Sequence, residues 1–514
     1  MVFGIPLVLL ILSVGVYFTF KTKGFQIKYF PYILKNTLFS VFKKEQRKGV
    51  SSFAALTTTL AATIGTGNII GVSAALIIGG PGAVFWMWVS AFFGMMTNYA
   101  ETEMSILYRK KDEQGNFYGG AMYYLKNCFS SVKGKKVGAF LAAFFSFFCV
   151  MSSFCMGNLT QSGSLISAAK LLGANEYLTG LIVSAFIFFT SVGGITRVSK
   201  LTTVVVPFMA ICYIFISFCF FTVNFNDMPN IFLKIIKNAF GFSAINGGFS
   251  GAVLKVALLT GFKRGVFSNE AGIGSTTIAS AAANVKSAGV QGMWGIFQVF
   301  FDTIVICSLT AFMILCSGRS LISADNVVDI SNGAKTIKLT EDSHIISDYP
   351  LNKIKIINVK CNDKFYSIEI ENKNNYLNVV QINKAVLNGK EQVFAKSLNS
   401  VEVVSFCFYE QFGTFGSFIL QLMIILFAAT TLIGWSYQGA EACRYLFGKK
   451  SIFSYKIIFA AFAFLGCLLD LGSVFILSDI FNGLMAIPNL IGIIVLSKKV
   501  IRINYNYIKS LYRY

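Results

Sequence analysis

The chain has 514 residues, of which 55% are hydrophobic, 15% aromatic and only 13% charged. Soluble proteins carry roughly 25% charged residues, so a soluble multidomain enzyme is excluded and the hydrocarbon core of a bilayer is the solvent for most of these side chains. Lys and Arg number 44 against 23 Asp and Glu, a net charge of +21, but they fall in short loops between apolar runs, a pattern that orients a membrane protein and calls for no nucleic-acid partner.

The first apolar run, 2–20, has no basic residue ahead of it and no A-x-A cleavage pattern, and Lys21, Lys23 and Lys28 follow at once. It reads as a retained helix with its N-terminus outside. Ten further apolar segments follow at 53–78, 83–107, 137–160, 178–195, 201–223, 266–284, 289–316, 412–435, 455–473 and 476–497, giving about eleven transmembrane helices. Alternating sides from an outside N-terminus puts loops 21–52, 108–136, 196–200, 285–288, 436–456 and the tail from 498 inside, and these hold 27 of the 44 basic residues. The C-terminus is then cytoplasmic. Lys263 and Arg264, just before the sixth core segment, are a misfit on the outside.

Two stretches differ from ordinary spans. Residues 240–262 set Phe242, Ile245, Phe249 and Val253 at helical spacing, interrupted by Gly247, Gly248, Gly251 and Lys255, which suits a helix lying in the interface. Residues 319–402 are polar, with period-2 runs at Lys353–Ile357 and Tyr366–Ile370, and are expected to form a β-rich extracytoplasmic insertion. The cysteines Cys149, Cys155, Cys212, Cys219, Cys307, Cys316 and Cys467 lie in or beside apolar runs and serve as small apolar fillers. There is no C-x-x-C, and His344 is the only histidine, so neither a zinc cluster nor a Cys/His nucleophile pair can be assembled. Without base, nucleophile and orienting group, an enzyme is not expected.

Interrupted helices are the informative feature, because hydrocarbon tolerates broken backbone only where it is buried or lines a cavity. The first core segment carries Gly65-Thr66-Gly67-Asn68 at its midpoint. Five segments later the chain reads Ser268-Asn269-Glu270-Ala271-Gly272-Ile273-Gly274-Ser275 in a short span. If 53–223 and 266–498 are two five-helix copies, flanked by 1–52, 224–265 and 499–514, the breaks fall at corresponding positions, the pointer to a transporter's midplane site. Half-helix N-termini offer N–H groups to a carboxylate, and half-helix C-termini offer carbonyls to an ammonium or a cation. Helix packing through small residues is the alternative. A nucleotide loop does not fit, since Gly71 comes one residue too late and no strand precedes it.

Among intramembrane polar residues, Asp302 is a candidate for ion coupling or for a helix-to-helix hydrogen bond, and Gln161 and Gln298 share that ambiguity. Thr430 and Thr431 set two hydroxyls side by side, able to ligate a hard cation or to bond back to their own helix. Trp435 and Tyr437 suit a pocket wall or interface anchoring, and Arg197 lies in a tight inside turn where lipid contact is the default.

Gly65-Thr66-Gly67-Asn68 with Gly79-Gly80-Pro81-Gly82-Ala83-Val84-Phe85-Trp86-Met87-Trp88, the run Lys263–Ser275, Asp302-Thr303-Ile304-Val305-Ile306-Cys307 and Leu484-Met485-Ala486-Ile487-Pro488-Asn489-Leu490 together resemble the alanine or glycine:cation symporters, also called the sodium:alanine symporter family. The resemblance runs from about 50 to 500, excepting 319–402, which is longer than the family's usual connection. It implies an all-α integral membrane protein with LeuT-type inverted five-helix repeats, small neutral amino acids as substrate, and Na+ as coupling ion with H+ as the alternative. With the interrupted helices and polar residues above, the candidate substrate contacts are Thr66, Gly67, Asn68, Gln161, Asn269, Gly272, Gly274 and Trp435. The resemblance also implies a sodium site in which the carbonyls of Ala61 and Ile64 lie beside Thr430 and Thr431, with Asp302 and Glu270 as coupling or structural acids. A monomer in a bacterial-type inner membrane is expected; an uncoupled channel-like protein is the rival.

Overall fold

The computed structural model describes residues 4–40, 49–240, 250–316 and 400–511, apart from positions 130, 286 and 470, together with eight strands between 320 and 395. Helix α1 (Ile5–Lys21) begins with Pro6 in its first turn, where no helical N–H is lost. The first broken helix follows as α2 (Ser52–Thr63) and α3 (Ile70–Gly79), with axes bent by 62°. Ser51 caps α2, its hydroxyl accepting from the Ala54 N–H at 3.1 Å. Gly80, at φ +66°, turns the chain into α4 (Gly82–Tyr108).

The hairpin β1 (Lys110–Lys111) and β2 (Phe117–Tyr118) precedes a 40-residue continuous helical span, α5 (Val132–Phe154), a π-turn at Cys155–Leu159, and α6 (Thr160–Leu171). Then come α7 (Glu176–Ser191), capped by Asn175, and α8 (Gly194–Val223). Helix α9 (Met228–Ala239) precedes the second broken helix, α10 (Ser250–Asn269) and α11 (Thr276–Ser280). Helix α12 (Ala288–Val299) continues through a π-helical stretch, Phe300–Cys307, into α13 (Ser308–Cys316). The C-terminal part holds α14 (Ser400–Phe447, kinked at Gly413 with φ +63°), α15 (Ser451–Leu465), α16 (Leu471–Val495) and α17 (Ser497–Leu511).

Five of these spans are long and apolar enough to cross a membrane, the bent α2–α3 pair adds another, and α1, α7 and α15 are shorter apolar helices. Lipid-facing side chains such as Phe186, Phe189, Ile211, Phe215 and Phe218 are exposed in the isolated chain, as expected where hydrocarbon replaces water.

The structure corrects several expectations. The sixth core segment does not start at 266. Helix α10 begins at Ser250 and runs unbroken to Asn269, so the stretch expected to lie in the interface is the first half of the broken helix, and the break at 270–275 is central. Gly251 and Lys255, expected to interrupt the stretch, both lie within the helix. Phe242, Ile245, Gly247, Gly248 and Phe249 lie outside the described residues. The amphipathic segment in this region is instead α9, which buries Ile231, Ile235 and Ala239 and exposes Phe232 and Leu233. The C-terminal tail is helical through Leu511.

The insertion is β-rich. Strands β3 (Ser320–Ser323), β5 (Thr336–Lys338), β6 (His344–Ile346), β7 (Ile356–Cys361), β8 (Lys364–Lys373) and β9 (Tyr376–Ile382) form a sheet in the order β5-β9-β8-β7-β3-β6. Strand β4 (Val328–Asp329) pairs with β10 (Phe394–Ala395). The expected run at Tyr366–Ile370 lies within β8, whereas Lys353–Lys355 fall outside the described residues.

Segments that charge alternation assigns to one side do meet at one end of the bundle. Asn284 N–H donates to the Val50 carbonyl at 2.8 Å, the Arg109 guanidinium reaches the carbonyls of Ala283 and Val285, Lys449 pairs with Glu113 at 3.3 Å and Lys499 donates to the Tyr108 hydroxyl at 3.2 Å. The misfit pair also finds its reason, since Lys263 and Arg264 are not loop residues. Both lie inside α10 and face Asp479 of α16, at 2.9 and 3.8 Å, and Arg264 rests over the Phe475 ring. Removing the one carboxylate that, among the described residues, pairs with these two largely buried cations is costly. Asp479→Ala should therefore lower the unfolding free energy in detergent by about 3 kcal/mol, and thermal melts of the purified variant check it.

Candidate functional site

The two breaks sit against each other in the centre of the bundle. Helix α10 packs on α3 and α11 packs on α2, so the broken helices run antiparallel, the half before one break lying beside the half after the other.

At the first break the helical ladder is redirected. The Gly65 N–H, which would have bonded the Ala61 carbonyl, donates to the Thr63 carbonyl (2.9 Å) and to Asn68 Oδ1 (3.0 Å). The Thr66 N–H, which would have bonded Ala62, donates to Gln161 Oε1 at 3.1 Å, and the Thr66 hydroxyl joins it at 2.9 Å. Gln161 is held in turn by the Met156 carbonyl at 3.2 Å, within reach because the π-turn ahead of α6 offsets the helix there. The break is thus stabilised by side chains that replace lost backbone partners, as burial requires.

At the second break, Glu270 (φ +59°), Gly272 (φ +88°) and Gly274 (φ +88°) alternate into left-handed backbone, which explains the two glycines and marks Glu270 as strained. The Glu270 carboxylate is held by the Trp435 indole N–H at 3.1 Å and by the Ser275 hydroxyl. Trp435 is fully buried, flat against Gly157, where any Cβ would collide with its ring. Asn269 Oδ1 accepts from the Ala271 N–H at 2.9 Å.

One carboxylate joins the two breaks. Asp302, fully buried in the π-helical stretch, accepts at Oδ1 from Asn68 Nδ2 (2.8 Å) and at Oδ2 from the Ser268 hydroxyl and the Thr303 hydroxyl (3.0 Å). Thr303 accepts from Asn269 Nδ2 at 3.0 Å, and Gln298 Nε2 donates to the Asn269 carbonyl at 3.0 Å and to the Thr63 hydroxyl at 3.3 Å. Asn98 of α4 completes the network, bonding Gln298 and accepting from the Thr276 hydroxyl at 3.0 Å.

The predicted residues therefore fall into distinct places. Asn68, Asn269, Asp302 and Gln298 share one network; Thr66 and Gln161 form a second contact; Glu270 and Trp435 form a third. Gly67 lies against Phe267, whose ring a Cβ would press at 3.1 Å, and Gly274 lies against Asn489. Thr431 reaches the first break, its hydroxyl donating to the Ile64 carbonyl at 3.3 Å, while Thr430 bonds back to Leu426 (3.1 Å) and Phe427 (2.9 Å) of its own helix. A hard cation fits this corner, since Ile64 and Thr431 oxygens converge and the Ala61 carbonyl has lost its helical N–H. Thr430 joins such a site only after a rotamer change.

Sequence reasoning missed Glu101, Asn489 and Tyr124. Asn489 Nδ2 donates to the Gly272 carbonyl at 2.9 Å and to Glu101, and the Tyr124 hydroxyl donates to Asn489 Oδ1. An acid inside the apolar run 83–107 was an available signal for Glu101.

With that geometry in view, the sequence was compared with known proteins. A profile of the "Sodium:alanine symporter family" matches residues 1–347 and 379–513. The unmatched stretch, 348–378, is shorter than the 319–402 expected to depart from the family. "Sodium/alanine symporter AgcS" of Methanococcus maripaludis is 35% identical over 502 residues, covering 97% of this chain and 93% of its own. "Probable sodium/glutamine symporter GlnT" of Bacillus subtilis is 31% identical, covering 96% and 86%. "Putative sodium/proton-dependent alanine carrier protein YrbD", also of Bacillus subtilis, is 35% identical over 314 residues, covering 61% and 62%.

Because Asp302 accepts from Asn68 and Ser268 on the two broken helices as well as from its neighbour Thr303, its removal takes an acceptor from three buried donors. Asp302→Leu should cost at least about 3 kcal/mol of stability, whereas Asp302→Asn, which keeps one acceptor, should cost roughly half as much; melting temperatures of the two purified variants order them.

Proposed function

We propose, since the chain belongs to the sodium:alanine symporter family, that it is a secondary transporter importing a small neutral amino acid such as alanine or glycine together with sodium, by alternating access. The observation that carries this reading is the pair of antiparallel broken helices tied through Asp302. Their packing supports inverted repeats of the LeuT type, and breaks at corresponding positions of two halves are where such transporters bind substrate. The convergence of the basic loops at one end supports a cytoplasmic C-terminus in a bacterial-type inner membrane, and the unit is proposed to act as a monomer.

In this reading the amino acid lies between the breaks. Freed N–H groups around Gly67, Gly272 and Gly274 face its carboxylate, and freed carbonyls face its ammonium. The side chains of Asn68 and Asn269 are committed to the network around Asp302, and their carbonyls accept from Thr310 and Gln298, so both serve to hold the breaks in shape. Thr66 and Gln161 fix the first break, and Trp435, anchored on Glu270, bounds the pocket. Sodium is held by the carbonyls of Ala61 and Ile64 and the hydroxyl of Thr431, with Thr430 joining on rotation, which couples ion binding to the shape of the first break. Asp302, already saturated by three donors, is structural and does not carry a proton.

Uptake of radiolabelled alanine into liposomes, with and without a sodium gradient, tests the whole reading. Thr431→Ala should raise the sodium concentration for half-maximal uptake about tenfold, the equivalent of one lost ligand at ~1.4 kcal/mol, and Thr430→Ala should raise it less; unchanged sodium dependence in both would move the ion elsewhere. Gly67→Val and Gly272→Val should abolish alanine binding in folded protein, the first by collision with Phe267 and the second by its left-handed backbone. Uptake driven by a proton gradient in sodium-free buffer, and lost in Asp302→Asn, would make the protein a proton symporter instead.

A further inference from the structure

A second cavity, of about 200 Å³, lies at the end of the bundle where the basic loops meet, between the β1–β2 hairpin, the turn from α7 to α8 and the last turns of α14. It is smaller than the roughly 300–1,000 Å³ of drug-sized pockets. Its charged lining is Asp112, Glu441, Arg444 and Lys456, two acids and two bases. Asp112 is already used: its carboxylate accepts from the N–H groups of Gln114 (2.9 Å) and Asn116 (2.8 Å) and shapes the hairpin. Arg444 stacks over the Tyr118 ring and contacts Glu441 at 3.4 Å.

One lining group lacks a partner: the buried hydroxyl of Tyr437, in a residue 6% exposed, makes no hydrogen bond among the described residues. Lys456, 8% exposed, makes no direct hydrogen bond there, and the charge facing it is that of Glu441. A buried hydroxyl without a partner is costly, so Tyr437 marks a place for a polar ligand atom, and the Lys456 ammonium and Arg444 guanidinium on the same lining favour an anionic oxygen there. Glu441 opposite supplies the complementary charge.

We propose that this cavity is a second binding site for a small amino-acid zwitterion, its carboxylate received by Lys456, Arg444 and the Tyr437 hydroxyl and its ammonium by Glu441. A lone cation is disfavoured by the two bases and a bare anion by Glu441, whereas a zwitterion balances all of them. The site continues the substrate route. Thr430, Gly434, Tyr437, Glu441 and Arg444 are spaced by four, three, four and three residues, so one face of α14 runs from the sodium corner to the cavity, about 15 Å away at 1.5 Å per residue. Only the identity of the ligand rests on the transport reading; the cavity and its unpaired hydroxyl do not.

The test is equilibrium binding of radiolabelled alanine to the full-length protein in nanodiscs. Wild type should bind two equivalents. Gly67→Val should retain one, and that remaining equivalent should disappear in the Gly67→Val/Lys456→Met double variant and weaken about tenfold in Gly67→Val/Glu441→Gln. Lys456→Met alone should keep the central equivalent, which also shows that the variant folds. A single equivalent in wild type, lost in Gly67→Val, would overturn the second site while leaving the transport reading intact; one equivalent sensitive only to Lys456→Met would support the second site and count against the central one. Acetate bound as tightly as alanine and indifferent to Glu441→Gln would make it an anion site and overturn the zwitterion assignment.

Discussion

The structure depends on the carboxylate of Asp302. Two helices are broken in the middle of the bundle, and broken backbone in a low-dielectric interior is tolerable only when every freed group is paired. Asp302 draws Asn68 from one break and Ser268, with Asn269 through Thr303, from the other. A neutral acceptor would serve fewer donors with weaker bonds, and charge-assisted hydrogen bonds are roughly twice as strong as neutral ones. The π-helical stretch Phe300–Cys307 carries this residue and the adjacent Thr303, so the acceptor and its relay arise together on one element.

Around that centre, α4, α6, α14 and α16 support the breaks from different sides. Helix α4 supplies Asn98 to the network and Glu101 to Asn489, which in turn grips the Gly272 carbonyl. Helix α14 supplies Thr431 to the first break and Trp435 to the second, so one rigid helix senses both. Helix α6, displaced by its π-turn, supplies Gln161. The two breaks are thereby tied to each other and to three packed helices.

The ends of the bundle are organised by ordinary charge physics. Cationic residues within α10 are neutralised by Asp479 of α16, a tie between the first half of a broken helix and the last long helix. Where the basic loops meet, Lys456 instead lines a cavity together with Glu441 and Arg444.

The sequence by itself determined the environment and the punctuation. Composition placed the chain in a bilayer, apolar runs located most helices to within a few residues, and Gly65-Thr66-Gly67 and Gly272-Ile273-Gly274 marked the breaks, because glycine is the residue that left-handed backbone and close approach demand. What it misjudged was the start of the second broken helix: Gly247, Gly248, Gly251 and Lys255 read as an interruption, yet α10 runs from Ser250 past Lys263 and Arg264 with Asp479, more than two hundred residues on, neutralising both. The tertiary structure alone decided which polar residues meet. Nothing in the local pattern tells that Thr431 faces Ile64 while Thr430 turns back on its own helix, or that Glu101 reaches the second break through Asn489. Helical periodicity fixes the face of a helix on which a residue stands, but its partner is fixed by how distant helices pack.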